Sequence, residues 1–521
     1  MTDGAPFHEE MSPVDAFFLY ADGHETPLHI GGVYVFQGSP EVPGARGVQA
    51  IAETLEERLH LVPRYRQKVR FLPFNLGHPV WVDDPDFDLS YHVRRAALPR
   101  PGDDAALREY AARVFARRLD VTKPLWEIYV VEGLSGGRVA LLSKVHHAMV
   151  DGISSVDLGT LLFDMQPEQA VQPAPPRWRP RPEPDLRTLV SAEIAGALRL
   201  LGSSPVTLPL RLPELGRRLA EEVLGSPWGG LASLAWTLMR PGRQLFFNRM
   251  VGPHRRIHHF SYPLADIRAV KAAAGATVND VVLAVVAEAM RGWLLERGEE
   301  VPDSLRVFCP VSVRDPSQRY ALGNKVSGMV VELPLGAMPP PARLARVAAE
   351  AGDLKRSRQA VAAQTLTALT GWAPATLHAL GGRLASSPGF AGQAPVNMVV
   401  TNVPGPQVPF YSGGSRMLEV WPLVPIYHSV GLNLALFSYD GNVHFGLNAD
   451  RDLVPDVERF GKHLERAAGA LTTAVTRRRD PVRGRAASRQ PASPAQRPSG
   501  QSSGRRARGE GSRRAARTPG G

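Results

Sequence analysis

The stretch Lys144-Val145-His146-His147-Ala148-Met149-Val150-Asp151-Gly152 holds the residue types best suited to moving a proton during catalysis. An imidazole with its ordinary pKa of about 6.5 accepts a proton near neutrality and hands it on to a leaving group. The run Arg138 to Val145 predicts a strand and the run Ile153 to Phe163 a helix, so the two histidines sit where a buried strand empties into a loop. Loops held by rigid elements are where chemistry concentrates. Successive side chains of an extended chain point to opposite faces, so His146 and His147 cannot both address one substrate. His147 opens the spacing HxxxDG with Asp151 and Gly152 and is taken as the working residue, His146 as a structural one. The bland alternative is a histidine pair closing a strand end beside an Asp-Gly turn. A metal site made of His146, His147 and Asp151 is disfavoured, because adjacent histidines diverge, no helical HxxxH pair accompanies them and the single Cys309 offers no thiolate cluster.

The elements that must position this stretch are legible from periodicity. Ser12-Pro13 ahead of Val14, Phe17 and Phe18 predicts a short capped helix, and His29 to Gln37 a strand. Val48, Ile51, Leu55 and Leu59 recur at helical spacing, and a second helix, capped by Asp103 or Asp104, carries Leu107, Tyr110, Val114 and Leu119. Pro124-Leu125-Trp126 then leads into a strand, Glu127 to Glu132, and a Gly136-Gly137 turn returns the chain toward the histidines. Trp126 and His147 are thereby delivered to one region. In the second half, Thr277 or Asn279 predicts the cap of a long apolar helix, with Asp280 in its first turn, where the helix dipole favours it. Strands are predicted at Leu305 to Arg314, Val326 to Leu335, Val396 to Thr401 and Met417 to Val420. Asp440-Gly441 joins two strand-like runs as a type I′ hairpin, and a last helix from Pro455 to about Thr476 shows one apolar face.

The net charge of +11 invites a nucleic-acid reading, but its location argues against one. Residues 477–521 hold thirteen arginines against two acids, and the chain before them balances 48 basic with 48 acidic residues. That tail has too few apolar residues to fold, and contact with an anionic lipid surface is the alternative to a solubilising role. A chain of 521 residues has room for at least two domains, with one cysteine and therefore no intrachain disulfide. No secretory leader and no run of 18 apolar residues is seen, which predicts a cytoplasmic protein, free or peripheral on a membrane. The expected organisation is 1–165, a domain with the histidine motif; 166–250, a proline-rich linker and interrupted amphipathic helices; 251–476, a second domain; and 477–521, the basic tail.

Five motifs follow one another in order: Pro124-Leu125-Trp126, the HHAMVDG string at 146–152, NDVVLA at 279–284, PVSVR at 310–314 and NVPGP at 402–406. Their order, with SPVDAFFL near the N-terminus and PLHIGGVYVF after it, resembles the bacterial wax ester synthase/acyl-CoA:diacylglycerol acyltransferases of the CoA-dependent acyltransferase superfamily, over about residues 11 to 476. The resemblance implies an α/β fold of two chloramphenicol-acetyltransferase-like domains with a crossover linker and a tunnel at their interface. It implies transfer from acyl-CoA to diacylglycerol or a long-chain alcohol, His147 as general base and Asp151 as support for the loop. Gly152 would allow the turn, Pro124, Leu125 and Trp126 would shape the acyl channel, and Asn279 and Asp280 would hold the second domain's share of the site. Arg314 is the expected ion-pair partner of Asp151. No cofactor is expected beyond acyl-CoA as substrate, and a position on the inner face of the membrane or on lipid inclusions is expected. Two alternatives are a condensation-domain-like enzyme using a carrier-bound thioester, since such domains share HHxxxDG, and a non-catalytic coat on lipid inclusions.

Overall fold

The computed structural model describes residues 7–38, 53–149, 162–167, 178–191, 242–312, 326–356, 375–385 and 395–476, with a few isolated positions between them. Asp151, Gly152 and Arg314, most of the 166–250 segment and the basic tail lie outside the described residues.

The first-half strands are β1 (Glu9–Glu10), β2 (His29–Phe36), β3 (Gln67–Arg70), β4 (Val80–Asp83), β5 (Val93–Ala97), β6 (Trp126–Glu132) and β7 (Val139–His146). The second half adds β8 (Arg255–Pro263), β9 (Ser304–Ser312), β10 (Val326–Pro334), β11 (Met398–Val403), β12 (Tyr411–Ser412), β13 (Ser415–Leu423), β14 (Leu432–Tyr439) and β15 (Asn442–Asp450). Two six-stranded mixed sheets result, ordered β12-β13-β2-β7-β6-β5 and β10-β9-β11-β14-β15-β8, beside a small sheet β1-β4-β3. The chain therefore crosses over: β12 and β13, from the second half, complete the first sheet, with Trp421 paired to Val33 and Leu423 to Gly31.

Helices cover these sheets where the sequence places apolar stripes. α1 (Pro13–Ala21) starts at Ser12, whose hydroxyl accepts the Asp15 amide, with proline in the first turn. α2 (Asp104–Ala116) is capped by the Asp103 carboxylate, which accepts the Ala106 amide at 2.9 Å. It buries Leu107, Ala111, Val114 and Phe115 against Val33, Val35, Ala140 and Leu142 on one face of the first sheet. The other face packs Trp126, Ile128, Val130, Leu141 and Val145 against Leu55, Leu59 and Tyr65. Odd and even positions of β7 thus go to opposite cores, as strand alternation requires.

The second sheet packs on α3 (Leu264–Ala274), α4 (Val278–Glu296) and the C-terminal helix, here α7 (Val457–Thr476), with α5 (Pro340–Arg356) and α6 (Ala375–Ala385) between them in sequence. On α7 the apolar face expected from the sequence, Val457, Phe460, Leu464, Ala468, Leu471 and Val475, is buried. The β14–β15 hairpin turns at Asp440 and Gly441 with φ of 43° and 81°, the two positive values a type I′ turn demands. The two sheets meet where Ile257 of β8 joins Trp421 and Leu423 in one core and His259 stacks on Trp421 at 3.6 Å. No single helix among the described residues is long and apolar enough to cross a membrane. The bent pair α3 and α4 passes that test only jointly, across a 101° break, and its apolar residues are core.

Candidate active site

The β7 strand ends at His146, and His147 opens a short 3-10 turn, His147–Met149. Main-chain bonds fix this exit from both sides. The His146 amide donates to Leu125 O at 2.9 Å, and the His147 amide donates to Leu28 O at 2.8 Å. Trp126 is the register partner of Val145, and His29 of His146. Gly31 is required beside them, because a Cβ there would lie 1.9 Å from Ser143 O.

The two imidazoles part as alternation predicts. His146 is fully buried; its Nδ1 accepts the Ala148 amide at 3.1 Å, which leaves Nε2 as the nitrogen that carries a proton. That Nε2 faces Asp22 Oδ1 at 3.8 Å, an electrostatic separation too long for a hydrogen bond. Asp22 also accepts the Leu28 amide at 2.8 Å and the Arg118 guanidinium at 2.8 Å. Burial alone pushes Asp22 up, but His146, then His29 and Arg118, outweigh it and hold the carboxyl at about 2. His29, buried beside them, accepts the Leu119 amide at 3.3 Å and is driven well below the usual range by burial and the nearby Lys144.

His147 points the other way, into a stack with Phe18 of α1, ring centroids 3.8 Å apart and planes 22° from parallel. Its side chain keeps some solvent contact but is densely surrounded. Burial, reinforced by His146, lowers its pKa to about 4, against a small opposing contact with its own main chain. The ring is therefore neutral at physiological pH, its lone pair open but its basicity weakened by burial. Nδ1 has no hydrogen-bond partner among the described residues.

Of the other sequence-predicted residues, Pro124, Leu125 and Trp126 are buried beside the histidines. The Trp126 indole donates to Tyr65 O at 2.8 Å and stacks on His92 at 4.5 Å, so its contacts here are those of a fixed core residue. Asp280 closes a capping box at the start of α4, accepting the Thr277 amide at 2.8 Å while Thr277 Oγ1 receives its own. Asn279 accepts from Asn402 Nδ2 at 2.7 Å, which joins the NDVVLA and NVPGP motifs across 123 residues of chain. The Gly405 amide of that second motif is spent on Ser438 Oγ. No described hydrogen bond or ring contact joins Asn279 or Asp280 to His147. No group of three or more His, Cys, Asp or Glu among the described residues is arranged to hold a metal.

Sequence reading missed Phe18, Asp22 and Arg118. Nothing in their local spacing marks them, since Phe18 and Asp22 reach the histidine pair, and Arg118 reaches Asp22, from distant parts of the sequence. A second miss is the buried cluster on the same β7 face as His146. There Lys144 Nζ pairs with Glu127 at 2.8 Å, which also takes Arg94 at 3.0 Å and the Tyr129 hydroxyl at 2.8 Å.

With this geometry in hand, comparison with known proteins is specific. The family model for the wax ester synthase/diacylglycerol acyltransferase catalytic domain matches residues 11–282, and that for the WS/DGAT C-terminal domain matches residues 322–472. The Mycobacterium tuberculosis chain named "Probable diacyglycerol O-acyltransferase tgs2" is 34% identical over 471 residues, 89% of this chain and 99% of that one. The one named "Probable diacyglycerol O-acyltransferase tgs1" is 34% identical over 485 residues, covering 92% and 98%. The solved wax ester synthase/diacylglycerol acyltransferase from Marinobacter aquaeolei VT8 superimposes with a TM-score of 0.61 at 26% identity, over 90% of this chain and 100% of that chain. The starter condensation domain of rhizomide synthetase RzmA, solved with C8-CoA and Leu-SNAC, shares the fold at a TM-score of 0.51 and 12% identity, over 90% and 94%.

Two mixed sheets joined by a crossover, with a histidine pair at the exit of a central strand, are the chloramphenicol-acetyltransferase-like fold of the acyltransferases. Within that class, the chain belongs to the wax ester synthase/diacylglycerol acyltransferase family.

Proposed function

We propose that the chain moves a fatty acyl group from acyl-CoA to the hydroxyl of diacylglycerol or a long-chain alcohol, giving triacylglycerol or a wax ester, with His147 as general base. Family membership supports the acyl transfer, and the observation that carries the base is the neutral His147 ring held against Phe18 at the strand exit. His147 takes the acceptor O–H proton as the oxygen attacks the thioester carbonyl. The tetrahedral oxyanion collapses, the C–S bond breaks, and the imidazolium returns the proton to the CoA thiolate. The exchange is redox-neutral, and acyl-CoA enters as a substrate with no separate cofactor.

In this reading the acyl donor and the acceptor reach His147 through a tunnel between the two halves. Pro124, Leu125 and Trp126 back its acyl side, and Asn279 and Asp280 frame the second half's share. Asp151, steadied by Arg314, and Gly152 would shape the loop after the histidines. A peripheral position, on the inner face of the membrane or on lipid inclusions, suits substrates that partition into lipid.

The test offers labelled palmitoyl-CoA with diacylglycerol and hexadecanol together and separates the products by thin-layer chromatography. Labelled triacylglycerol, wax ester or both is expected from wild type. His147→Ala should lower turnover by roughly 10²- to 10⁴-fold, the usual worth of a general base, and His146→Ala by less. A folded His147→Ala variant with wild-type turnover would overturn the base assignment. A requirement for a carrier-bound aminoacyl thioester would overturn the donor.

A further inference from the structure

We propose that Asp22 is a positioning residue for acyl transfer, acting on His147 through two separate links, and this rests on the reading of His147 as the base. The first link runs through the main chain of Leu28. The Asp22 carboxylate accepts the Leu28 amide at 2.8 Å, and the carbonyl of the same Leu28 accepts the His147 amide at 2.8 Å. One carboxylate oxygen is therefore two hydrogen bonds from the main chain of the working histidine. The second link runs through His146. Its Nε2 faces the same Oδ1 at 3.8 Å, and its Nδ1 accepts the Ala148 amide, so the ring's tautomer and the first residue after His147 are set together.

The carboxylate is built to stay in place. Its side chain is 2% exposed, and Arg118 of the segment after α2 clamps its other oxygen and the Asp22 carbonyl. The turn that brings Leu28 back is closed by the Gly23 amide on the Thr26 carbonyl at 3.3 Å. His146 Nε2 is buried without a hydrogen-bond partner among the described residues, and Asp22 is the carboxylate it faces. Catalytic hydrogen bonds often tighten only when substrate binds, and closing this gap would draw the 146–148 main chain toward Leu28 and α1. Asp22 touches neither donor nor acceptor in this scheme; it sets where the His147 ring stands. A displacement of about 1 Å at a reacting group costs on the order of 100-fold in rate, so such a residue acts on kcat more than on KM.

The experiment measures kcat and KM for palmitoyl-CoA, per folded molecule, in full-length Asp22→Asn, Asp22→Glu and Arg118→Gln, with His147→Ala alongside. Asp22→Asn keeps an oxygen for the Leu28 amide but loses the charge facing His146 and Arg118. Its kcat is expected to fall about tenfold or more with KM within about twofold, and Asp22→Glu to recover most of the loss. Should Asp22→Asn fail to fold, Arg118→Gln, which frees the same carboxylate, is read by the same criteria. A kcat per folded molecule within about twofold of wild type, or a loss expressed only in KM, overturns the proposal. If His147→Ala itself stays active, it is the base assignment that fails. An inactive His147→Ala beside a wild-type Asp22→Asn removes only the role of Asp22.

Discussion

The Phe18 ring lies on the His147 imidazole, 3.8 Å between centroids and 22° from coplanar, with Phe17 edge-on to Phe18 at 6.2 Å. This contact both excludes water from one face of the imidazole and fixes the plane in which its nitrogens point. Removing it should therefore change rate and pKa together. Phe18→Ala is expected to lower kcat about tenfold, as the ring loses a fixed orientation.

The same contact gives a pH signature. A base held at about 4 is deprotonated throughout the physiological range, so kcat/KM should fall only as pH drops toward about 4. Water admitted by Phe18→Ala relieves the burial penalty and should move that acid limb upward, toward about 6.5. A wild-type limb already at 6.5 would contradict the buried neutral imidazole.

Stability should respond to acid in a related way. Burial depresses His147, His258 and His444 to about 4 and His259 to about 2, and lowers His29 and His92 as well. In the unfolded chain each takes up a proton near 6.5, while the folded chain does not. Stability is thus full above about pH 7 and falls as pH drops through 6.5; the loss levels off near 4 for the rings held there and continues lower for His259 and His29. Asp22, held at about 2, adds a further loss below about 4 as its unfolded counterpart protonates first. Urea midpoints measured at about pH 7.5, 6 and 5 should decrease in that order; a flat series would mean these rings are not neutral in the fold.

Gly446 of β15 sits where the two sheets approach, and a Cβ there would lie 1.8 Å from Pro422 O of β13. Backbone cannot step aside as a side chain tip can. Gly446→Ala should therefore cost about 3 kcal/mol or more, or abolish soluble expression. Gly469 on α7 has open space at its Cβ, and Gly469→Ala should instead stabilise by about 0.5–1 kcal/mol. Denaturant titration of both variants separates crowding from simple loss of glycine.

The Lys144–Glu127 pair is almost fully buried, and deleting one charge strands the other. Lys144→Met should destabilise by roughly 3–5 kcal/mol, and adding Glu127→Leu should return only part of this, because Arg94 and Tyr129 lose their carboxylate. Full additivity of the two single changes would show that the pair is not coupled.

By itself, the sequence determined the elements and the chemistry-bearing string. Helical spacing of Val457 to Val475, a cap near Asp103, one near Thr277 and the Asp440-Gly441 turn are local signals; the caps and the turn formed because residues a few positions away supply their partners, and the helix because its spacing turns one apolar stripe toward the core. The diverging histidines also followed from strand alternation alone. The family followed from ordered motifs, and comparison bears it out. Tertiary structure decided which side chains meet. That β13 leaves the second half to pair with β2, that Asn279 reaches Asn402, and that Phe18, Asp22 and Arg118 surround the histidine pair are relations between distant segments. Such contacts are set by how apolar faces stack and where close backbone approach is allowed, and periodicity within one segment carries no record of them.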